Sequence, residues 1–447
     1  MTTRRDFLRN TAMVASGLLV SPTLTGQVWI AKKAKVVVIG AGLAGLGAAY
    51  QLRQRGIDCV ILEAQGRIGG RVFSQRMDDL VVELGAEWVG ESHTRIRELC
   101  VEFKLELQNN QMDTGLIYKG QYHPPAQWDS SADWKAKFQT LLEEYRKMNE
   151  VDKMKLDQYD WWRYLVNNGC QGRDLDLREL TDSTDFGESI RHVSAFAAMA
   201  EYAESSPKNE MDLKIKGGNN LLAQRMADAI GRESILLQHK VTRVVQDASG
   251  VKVYCGNGKM FEADKMICTL PTFALRAIDW QPGLPQEKID AINQLQYARI
   301  NKHAMLYGQR FWPAEAFDLV TDQLPHYFYH ATKNQRSEKG VLISYTIGDK
   351  AAVVANQSDG WNAAEVLRTL QPHFKTAPML QQQNFYWGSN DYTQGAYALY
   401  KPGQWFNVKP VLQQDFLHTS FAGEHLADWQ GFMEGALVTG EQAARRI

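Results

Sequence analysis

The fold of this protein is decided near its N-terminus by the stretch Lys35-Val36-Val37-Val38-Ile39-Gly40-Ala41-Gly42-Leu43-Ala44-Gly45. Its opening residues form an apolar, β-branched run that is typical of a buried parallel strand. Three glycines follow: Gly40 permits a tight turn, Gly42 lets a pyrophosphate approach the backbone, and Gly45 allows close contact between helix and strand. The pattern predicts a nucleotide phosphate at the N-terminus of the following helix.

The residues downstream complete the same unit. A helical pattern over 46–55 ends at Gly56, and a second apolar strand over 58–62 leads directly to Glu63. At this distance from the glycines an acidic side chain can accept hydrogen bonds from a ribose diol and repel a 2′-phosphate. Because strand, glycine turn, helix, strand and acid follow in order, a glycine-rich turn without a ligand is the weaker interpretation.

The next segment suggests a flavin. Leu62-Glu63-Ala64-x-x-Arg67-x-Gly69-Gly70-Arg71 resembles the flavin-containing amine oxidase (monoamine oxidase-like) family. The resemblance implies that this second glycine loop wraps the diphosphate and ribityl chain of FAD. Gly69 and Gly70 suit a backbone that lies against the cofactor, and Arg71 can neutralise phosphate.

Further matches to the family recur in order along the chain. They are Lys216–Leu222, His239–Val244, Asn301–His303, Tyr386–Gly388, Gly395–Tyr397, Phe421–His425 and Gly431–Ala436. The resemblance implies an α/β fold with a discontinuous, Rossmann-like FAD-binding domain (32–90, 210–290 and 395–447) and an α+β substrate-binding domain (91–209 and 291–394). We also predict an antiparallel meander over 241–246, 251–255 and 260–267, a helical segment over 134–164 and a terminal helix over 434–446.

The resemblance also assigns site residues. The expected cofactor-binding residues are Gly40, Gly42, Ala44, Gly45, Glu63, Ala64, Arg67, Gly69, Gly70, Arg71, Gly85, Ala86, Glu87, Trp88, Val241, Gly423, Glu424, Gly431, Phe432, Met433 and Ala436. Val241 would meet the adenine through backbone atoms. The terminal helix would point its N-terminus at the flavin and stabilise negative charge on the reduced ring.

Four catalytic positions follow from the same resemblance: Lys302, Tyr397, Phe432 and Trp387. Lys302 would hold a water near the flavin nitrogen that receives hydride, while Tyr397 and Phe432 would face each other as a slot for the amine. Trp387 would form another wall. The alternatives are a solvated surface lysine and aromatic rings that only pack the core.

Two departures from the family matter. Some members bind FAD covalently through a cysteine before the tyrosine; Ala396 occupies that place, so we expect noncovalent FAD. Amino-acid oxidases of the superfamily place an arginine two residues after Gly-Ala to bind the substrate carboxylate. Here Glu87 and Trp88 follow, so this carboxylate clamp is missing.

We therefore expect FAD-dependent oxidative deamination of a small-molecule amine, with O2 or a redox carrier as oxidant. An L-amino-acid oxidase with its arginine elsewhere stays open, as does a catalytically decayed flavin-binding scaffold, although Lys302 and Tyr397 argue against decay. The oligomeric state is open, and a homodimer is one of the states allowed.

The N-terminus reads as an export signal. Arg4-Arg5 precede Phe7-Leu8 and an uncharged, moderately apolar stretch, which resembles a twin-arginine signal over 1–30 and predicts a periplasmic protein. A net charge of -1 argues against nucleic-acid binding. No run predicts a stable membrane span. His326 and His330 fall in a strand-like or loop-like segment, so no metal is expected.

Overall fold

The computed structural model of the protein describes residues 34–207 and 210–447, so the predicted export signal lies outside the described residues. In chain order the strands are β1 (Ala34–Ile39), β2 (Cys59–Leu62), β3 (Ser74–Met77), β4 (Leu80–Glu83), β5 (Leu107–Asn109), β6 (Asp113–Tyr118), β7 (Gln121–His123), β8 (Leu213–Ile215), β9 (Ile235–Leu236), β10 (Val241–Asp247), β11 (Gly250–Cys255), β12 (Met260–Cys268), β13 (Asp279–Gln281), β14 (Gln296–Tyr297), β15 (Ile300–Tyr307), β16 (Phe317–Thr321), β17 (Tyr327–His330), β18 (Gly340–Ile347), β19 (Met379–Tyr386), β20 (Ala398–Leu399) and β21 (Thr419–Phe421).

The helices lie mostly between these strands. They are α1 (Leu43–Gln54), α2 (Thr94–Glu102), α3 (Ala132–Lys147), α4 (Glu150–Leu156), α5 (Trp161–Asn167), α6 (Gly172–Phe186), α7 (Ala195–Glu204), α8 (Asn220–Ile230), α9 (Thr272–Arg276), α10 (Gln286–Gln294), α11 (Gly348–Ala355), α12 (Asp359–Leu370), α13 (Gln404–Asn407), α14 (Lys409–Gln413) and α15 (Met433–Arg445). None of the helices in the described ranges is both long and apolar enough to cross a bilayer.

The first large sheet has the order β13-β10-β11-β12-β1-β2-β9. Strand β21 also pairs with β12, on the same side as β11 but past the end of the β11 pairing. Strand β1 lies between β12 and β2 in parallel register, and its valines are fully buried. Burial on both faces explains why the strand is a continuous apolar run without alternation. The predicted meander is confirmed, since β10, β11 and β12 pair antiparallel in sequence.

The second large sheet has the order β19-β15-β18-β17-β16-β6-β7. Its strands all come from 113–123 and 300–386, whereas those of the first sheet come from 34–62, 235–281 and 419–421. Strands β15 and β18 pair over eight residues and are buried along their full length. The sheet therefore forms a rigid wall from which side chains can project into the space facing the first sheet.

The helical segment predicted over 134–164 is divided in the structure into α3, α4 and most of α5. Two of these pieces begin at an N-cap side chain, which accepts a hydrogen bond from a backbone N–H of the first helical turn. Asn149 accepts from the backbone nitrogen of Asp152, and Asp160 accepts from that of Arg163. The apolar periodicity predicted helix, but these N-caps start a new helix at Glu150 and another at Trp161.

Candidate active site

A cavity of about 380 Å³ lies between the two sheets. Its walls come from the β1–α1 turn, the segments after β2 and β4, strand β15, the loop around 391–399 and the start of α15. The four predicted catalytic residues line it, and so do all the predicted cofactor-binding residues except Gly45 and Arg67. The topology thus brings together residues that are nearly four hundred positions apart.

The glycine turn has the backbone that its sequence predicts. Gly40 has φ +99°, in the region that favours glycine. A Cβ at Gly45 would lie 1.9 Å from the carbonyl oxygen of Gly40, so only glycine fits there. Gly45 therefore acts through helix–strand packing behind the cavity, while Gly40 and Gly42 line it.

Glu63 lies at the end of β2 with its carboxylate turned to this turn. It accepts hydrogen bonds from the backbone nitrogens of Ala41 at 2.7 Å and Gln65 at 2.8 Å. Burial raises its pKa above the ordinary value, although these two donors oppose the shift. The position fits a carboxylate that stabilises the turn and presents an acceptor to a ribose hydroxyl.

The second glycine loop is joined to the first, since the Gly69 nitrogen donates to the Ala41 carbonyl at 2.8 Å. Arg67 lies outside the cavity lining, contrary to our expectation for a cofactor-binding residue. Its guanidinium donates to the Gly70 carbonyl at 2.7 Å and lies over the Phe73 ring. Arg67 thus braces the loop from behind.

Arg71 does line the cavity, but its charge is already paired. Its Nη1 lies 2.6 Å from a Glu424 oxygen, and the other Glu424 oxygen accepts from the Gly431 nitrogen at 2.8 Å. This chain of contacts connects the second glycine loop to the start of α15. Gly431, Phe432, Met433 and Ala436 line the cavity at that end, where the helix N-terminus carries partial positive charge.

Lys302 projects from β15 and is only 3% exposed, so it is not a solvated surface lysine. Its Nζ donates to the carbonyls of Glu83 at 3.2 Å and Gly85 at 2.8 Å, and to Glu87 Oε2 at 3.1 Å. Three acceptors match the three N–H bonds of an ammonium group. Burial lowers the pKa of Lys302 below its ordinary value, and Glu87 opposes that shift.

Glu87 lines the cavity beside Trp88, and its charge is paired with cationic groups. Its carboxylate also accepts from Lys214 Nζ at 2.7 Å and from the Tyr329 hydroxyl. Although burial alone would raise the pKa of Glu87, the ammonium groups of Lys214 and Lys302 hold it below its ordinary value. The side chain is therefore a paired carboxylate in the wall.

The aromatic residues occupy different walls. The hydroxyl of Tyr397 donates to the Asp185 carbonyl, and the peptide bond that precedes this tyrosine is cis. The ring of Phe432 packs against His93, with centroids 5.0 Å apart, and Trp387 donates from Nε1 to the Leu84 carbonyl at 2.8 Å. Each ring is thus held in place by contacts with the rest of the protein.

Sequence reasoning missed an acidic group on the cavity wall. Asp185, Glu201 and Glu210 line the same space and come from the end of α6, from α7 and from the segment before β8. Burial raises the pKa of Glu201 well above its ordinary value, and Asp185 and Glu210 add to the shift. No motif marks them, because two lie in helices whose apolar periodicity indicates only packing.

The residues present fit a flavin dinucleotide. The tight contacts at Gly45 and the position of Glu63 favour the nucleotide half. Trp88 lines the cavity near Lys302. Its buried Nε1 has no hydrogen-bond partner among the described residues. This N–H group is therefore available to donate to an acceptor atom of a flavin. No group of three or more potential metal ligands occurs among the residues described.

Comparisons with known proteins agree with this geometry. The sequence profile described as "Flavin containing amine oxidoreductase" matches residues 43–447. A probable flavin-containing monoamine oxidase A of Dictyostelium discoideum is 23% identical, with 92% of this chain and 97% of the relative covered. An L-amino-acid oxidase of Pseudechis australis is 27% identical, with coverages of 92% and 86%.

Solved structures share the fold. Putrescine oxidase bound to putrescine has a TM-score of 0.83 at 21% identity, with 93% of this chain and 99% of that chain covered. Cyclohexylamine oxidase from Brevibacterium oxydans has a TM-score of 0.83 at 22% identity, with coverages of 93% and 98%. With its profile match from the glycine turn to the last residue, the chain belongs to the flavin-containing amine oxidoreductase family.

Proposed function

We propose that the protein oxidises an amine that lacks an α-carboxylate, with FAD held noncovalently. The observation that carries the proposal is the charge around Tyr397. The described basic residues of the lining are Arg71, His239, Lys240 and Lys302. Arg71 and Lys302 are paired with Glu424 and Glu87, and His239 and Lys240 lie next to Val241 at the nucleotide end.

Carboxyl groups, those of Asp185 and Glu201, line the cavity near the Tyr397 ring. Glu201 and Asp185 act electrostatically on Tyr397, whose pKa is raised well above its ordinary value by burial first and by these neighbours in addition. A substrate carboxylate placed here would be desolvated without a cationic partner, at a cost of several kcal/mol. An amine meets no such penalty, since aromatic ring faces attract a cationic nitrogen and the amine can lose its proton before it reacts.

When bound, FAD supplies the acceptor for a hydride from the carbon next to the amine nitrogen. The carbon–hydrogen bond breaks, a carbon–nitrogen double bond forms, and water then hydrolyses the imine to a carbonyl compound and the free amine or ammonia. The described residues orient the substrate: Tyr397 and Phe432 line its path, and Lys302 places a positive charge at the cavity wall.

The test is an anaerobic flavin-reduction screen with matched pairs of compounds. We expect 2-phenylethylamine to bleach the flavin faster than L-phenylalanine, and 1,4-diaminobutane faster than L-ornithine, by tenfold or more, since about 1.4 kcal/mol corresponds to a factor of ten. Bleaching should accelerate with rising pH, because hydride does not readily leave a carbon beside an ammonium group.

Faster bleaching by the amino acid of each pair would instead establish an L-amino-acid oxidase. That candidate is kept because two relatives of that name match this chain over 86% and 88% of their length. The oxidant, O2 or a redox carrier, follows from the same preparation, by admitting air to the reduced protein and measuring peroxide.

We also propose that the protein is exported to the periplasm through the twin-arginine pathway, on the strength of Arg4-Arg5 and the apolar stretch that follows. Replacing both arginines by lysine keeps the charge and removes the paired guanidinium groups. We expect the variant to stay in the cytoplasm, which cell fractionation measures. Unchanged export would contradict the proposal.

A further inference from the structure

At the cavity wall, the carboxylate of Glu87 lies between two ammonium groups. Glu87 contacts Lys302 through Oε2 at 3.1 Å and Lys214 through Oε1 at 2.7 Å. The side chains of Glu87 and Lys302 are 1% and 3% exposed, whereas that of Lys214 is 12% exposed. The three charges sum to +1 when all are ionised, and only Lys302 and Glu87 reach the cavity.

We propose that Glu87 is a positioning residue that holds the Lys302 ammonium at the cavity wall, and that Lys214 limits the strength of this hold by sharing the same carboxylate. The inference rests on the proposed function, because it concerns the charge that the reduced cofactor would meet. It goes beyond that function by assigning roles to Glu87, which lines the cavity, and to Lys214, which lies outside the lining.

The hydrogen-bond partners of Lys214 differ from those of Lys302. Lys214 has a second acceptor in the Ala331 carbonyl at 3.1 Å, and Tyr329 donates its hydroxyl to the Glu87 oxygen that also faces Lys302. The carboxylate is therefore fully engaged by donors. Coulomb interactions are strong where water is excluded. A change of charge on Glu87 or Lys214 should therefore shift the pKa of Lys302.

Other groups around the cluster are accounted for. Glu83, Tyr329 and Tyr345 face Lys302, and His330 faces Lys214. The tyrosines are neutral in the ordinary pH range because burial raises their pKa values. Burial also raises the pKa of Glu83, while burial lowers that of His330 to about 4. Glu87 and Lys214 are thus the neighbours whose removal changes the charge most directly.

The two substitutions predict opposite effects. Glu87→Gln keeps the shape but leaves two ammonium groups without their anion, so the more buried Lys302 loses its proton at a lower pH. Lys214→Met leaves Glu87 to Lys302 alone, so Lys302 stays charged to a higher pH. A charge at this distance shifts a pKa by roughly 1–3 units. A variant that merely disturbs packing would not move the two profiles in opposite directions.

The experiment uses flavin reduced by light, without any amine, so its result does not depend on the identity of the substrate. The rate of reoxidation by O2 and the midpoint potential of the flavin are measured against pH. Each profile should change slope at the pH where Lys302 loses its proton, and we call this pH the break. We expect the break to move to lower pH in Glu87→Gln and to higher pH in Lys214→Met. In the double variant the break should return toward the wild-type pH, because Lys302 has then lost both the anion of Glu87 and the second cation of Lys214.

A matched control is Lys135→Met, which removes a lysine from an exposed pair with Asp129 far along the chain in α3. It should leave the profiles unchanged. Breaks that move in the same direction in both single variants, or profiles that superimpose on the wild type, would overturn the proposal. If Glu87→Gln fails to retain FAD, the upward shift in Lys214→Met still decides it.

Discussion

At the scale of single residues, we expect position 396 to determine how FAD is retained. Ala396 lines the cavity beside Tyr397 and offers no sulfur for a covalent bond, and none of the described lining residues is a cysteine. We expect the native protein to be yellow and acid precipitation to release its FAD completely. Absorbance of supernatant and pellet measures this. Flavin that remains with the pellet would reveal a covalent bond.

Lys302 carries a second prediction at this scale. Lys302→Met keeps most of the side-chain length and removes the buried charge that contacts Glu87. FAD binding should survive, and reoxidation of the reduced flavin by O2 should slow by roughly ten- to a thousandfold, the effect of losing one electrostatic group at a reacting centre. Stopped-flow absorbance measures both half-reactions. Rates equal to those of the wild type would show that Lys302 takes no part in flavin reduction or reoxidation.

At the scale of elements, the crossing of α1 and α15 depends on glycine. A Cβ at Gly440 would lie 2.0 Å from the Ala44 carbonyl oxygen, in the first turn of α1. We expect Gly440→Ala to lower the free energy of unfolding by about 1–3 kcal/mol or more and to weaken FAD retention, because the helices must separate.

The matched control is Gly360→Ala in α12, where a Cβ meets nothing within 4 Å. There the substitution should be neutral or stabilise the protein by up to about 1 kcal/mol through helix propensity. Urea unfolding of the two variants compares them directly. Equal losses of stability would contradict the packing argument.

Elements also show what the sequence could predict. The parallel strand, the glycine turn and the meander were predictable, because local periodicity and glycine spacing encode them. The terminal helix was expected over 434–446 and is Met433–Arg445. The division of 134–164 into three helices was missed, since the apolar pattern continues past Asn149, where an N-cap starts a new helix.

The site was predictable only where it is local. Residues of the glycine loops and of the terminal helix were identified because their motifs are contiguous. The pairing of Glu87 with Lys214 and the carboxylate of Glu201 depend on long-range packing, for which single-sequence patterns carry no signal. Arg67 was assigned to the cofactor from its motif, whereas its contacts are to the loop backbone.

At the scale of the whole molecule, burial of neutral histidines makes stability depend on pH. Burial lowers the pKa of His326 to about 3, and its Nε2 lies 2.9 Å from the Thr184 hydroxyl. Between pH 6.5 and about 3, His326 is protonated in the unfolded chain but stays neutral in the folded protein. This residue therefore lowers stability by about 1.4 kcal/mol per pH unit as the pH falls from 6.5 toward 3.

We expect His326→Asn to lose less stability than the wild type between pH 6.5 and 4.5. The difference between the two proteins is the relevant quantity, because buried carboxylates with raised pKa values act in the opposite sense. Urea unfolding across this range measures it, with His192→Asn as a control at an exposed position. Parallel pH profiles for His326→Asn and the wild type would refute the prediction.

The order of strands in the first sheet has a consequence for folding of the protein. Strand β12 holds β1 on one side and β21 on the other, and α1 of the glycine turn packs on α15 at the end of the chain. Residues near position 40 must therefore find partners beyond position 415 before the nucleotide half is complete. Contacts between distant parts of a chain form slowly, so we expect slow refolding of the protein after dilution from denaturant.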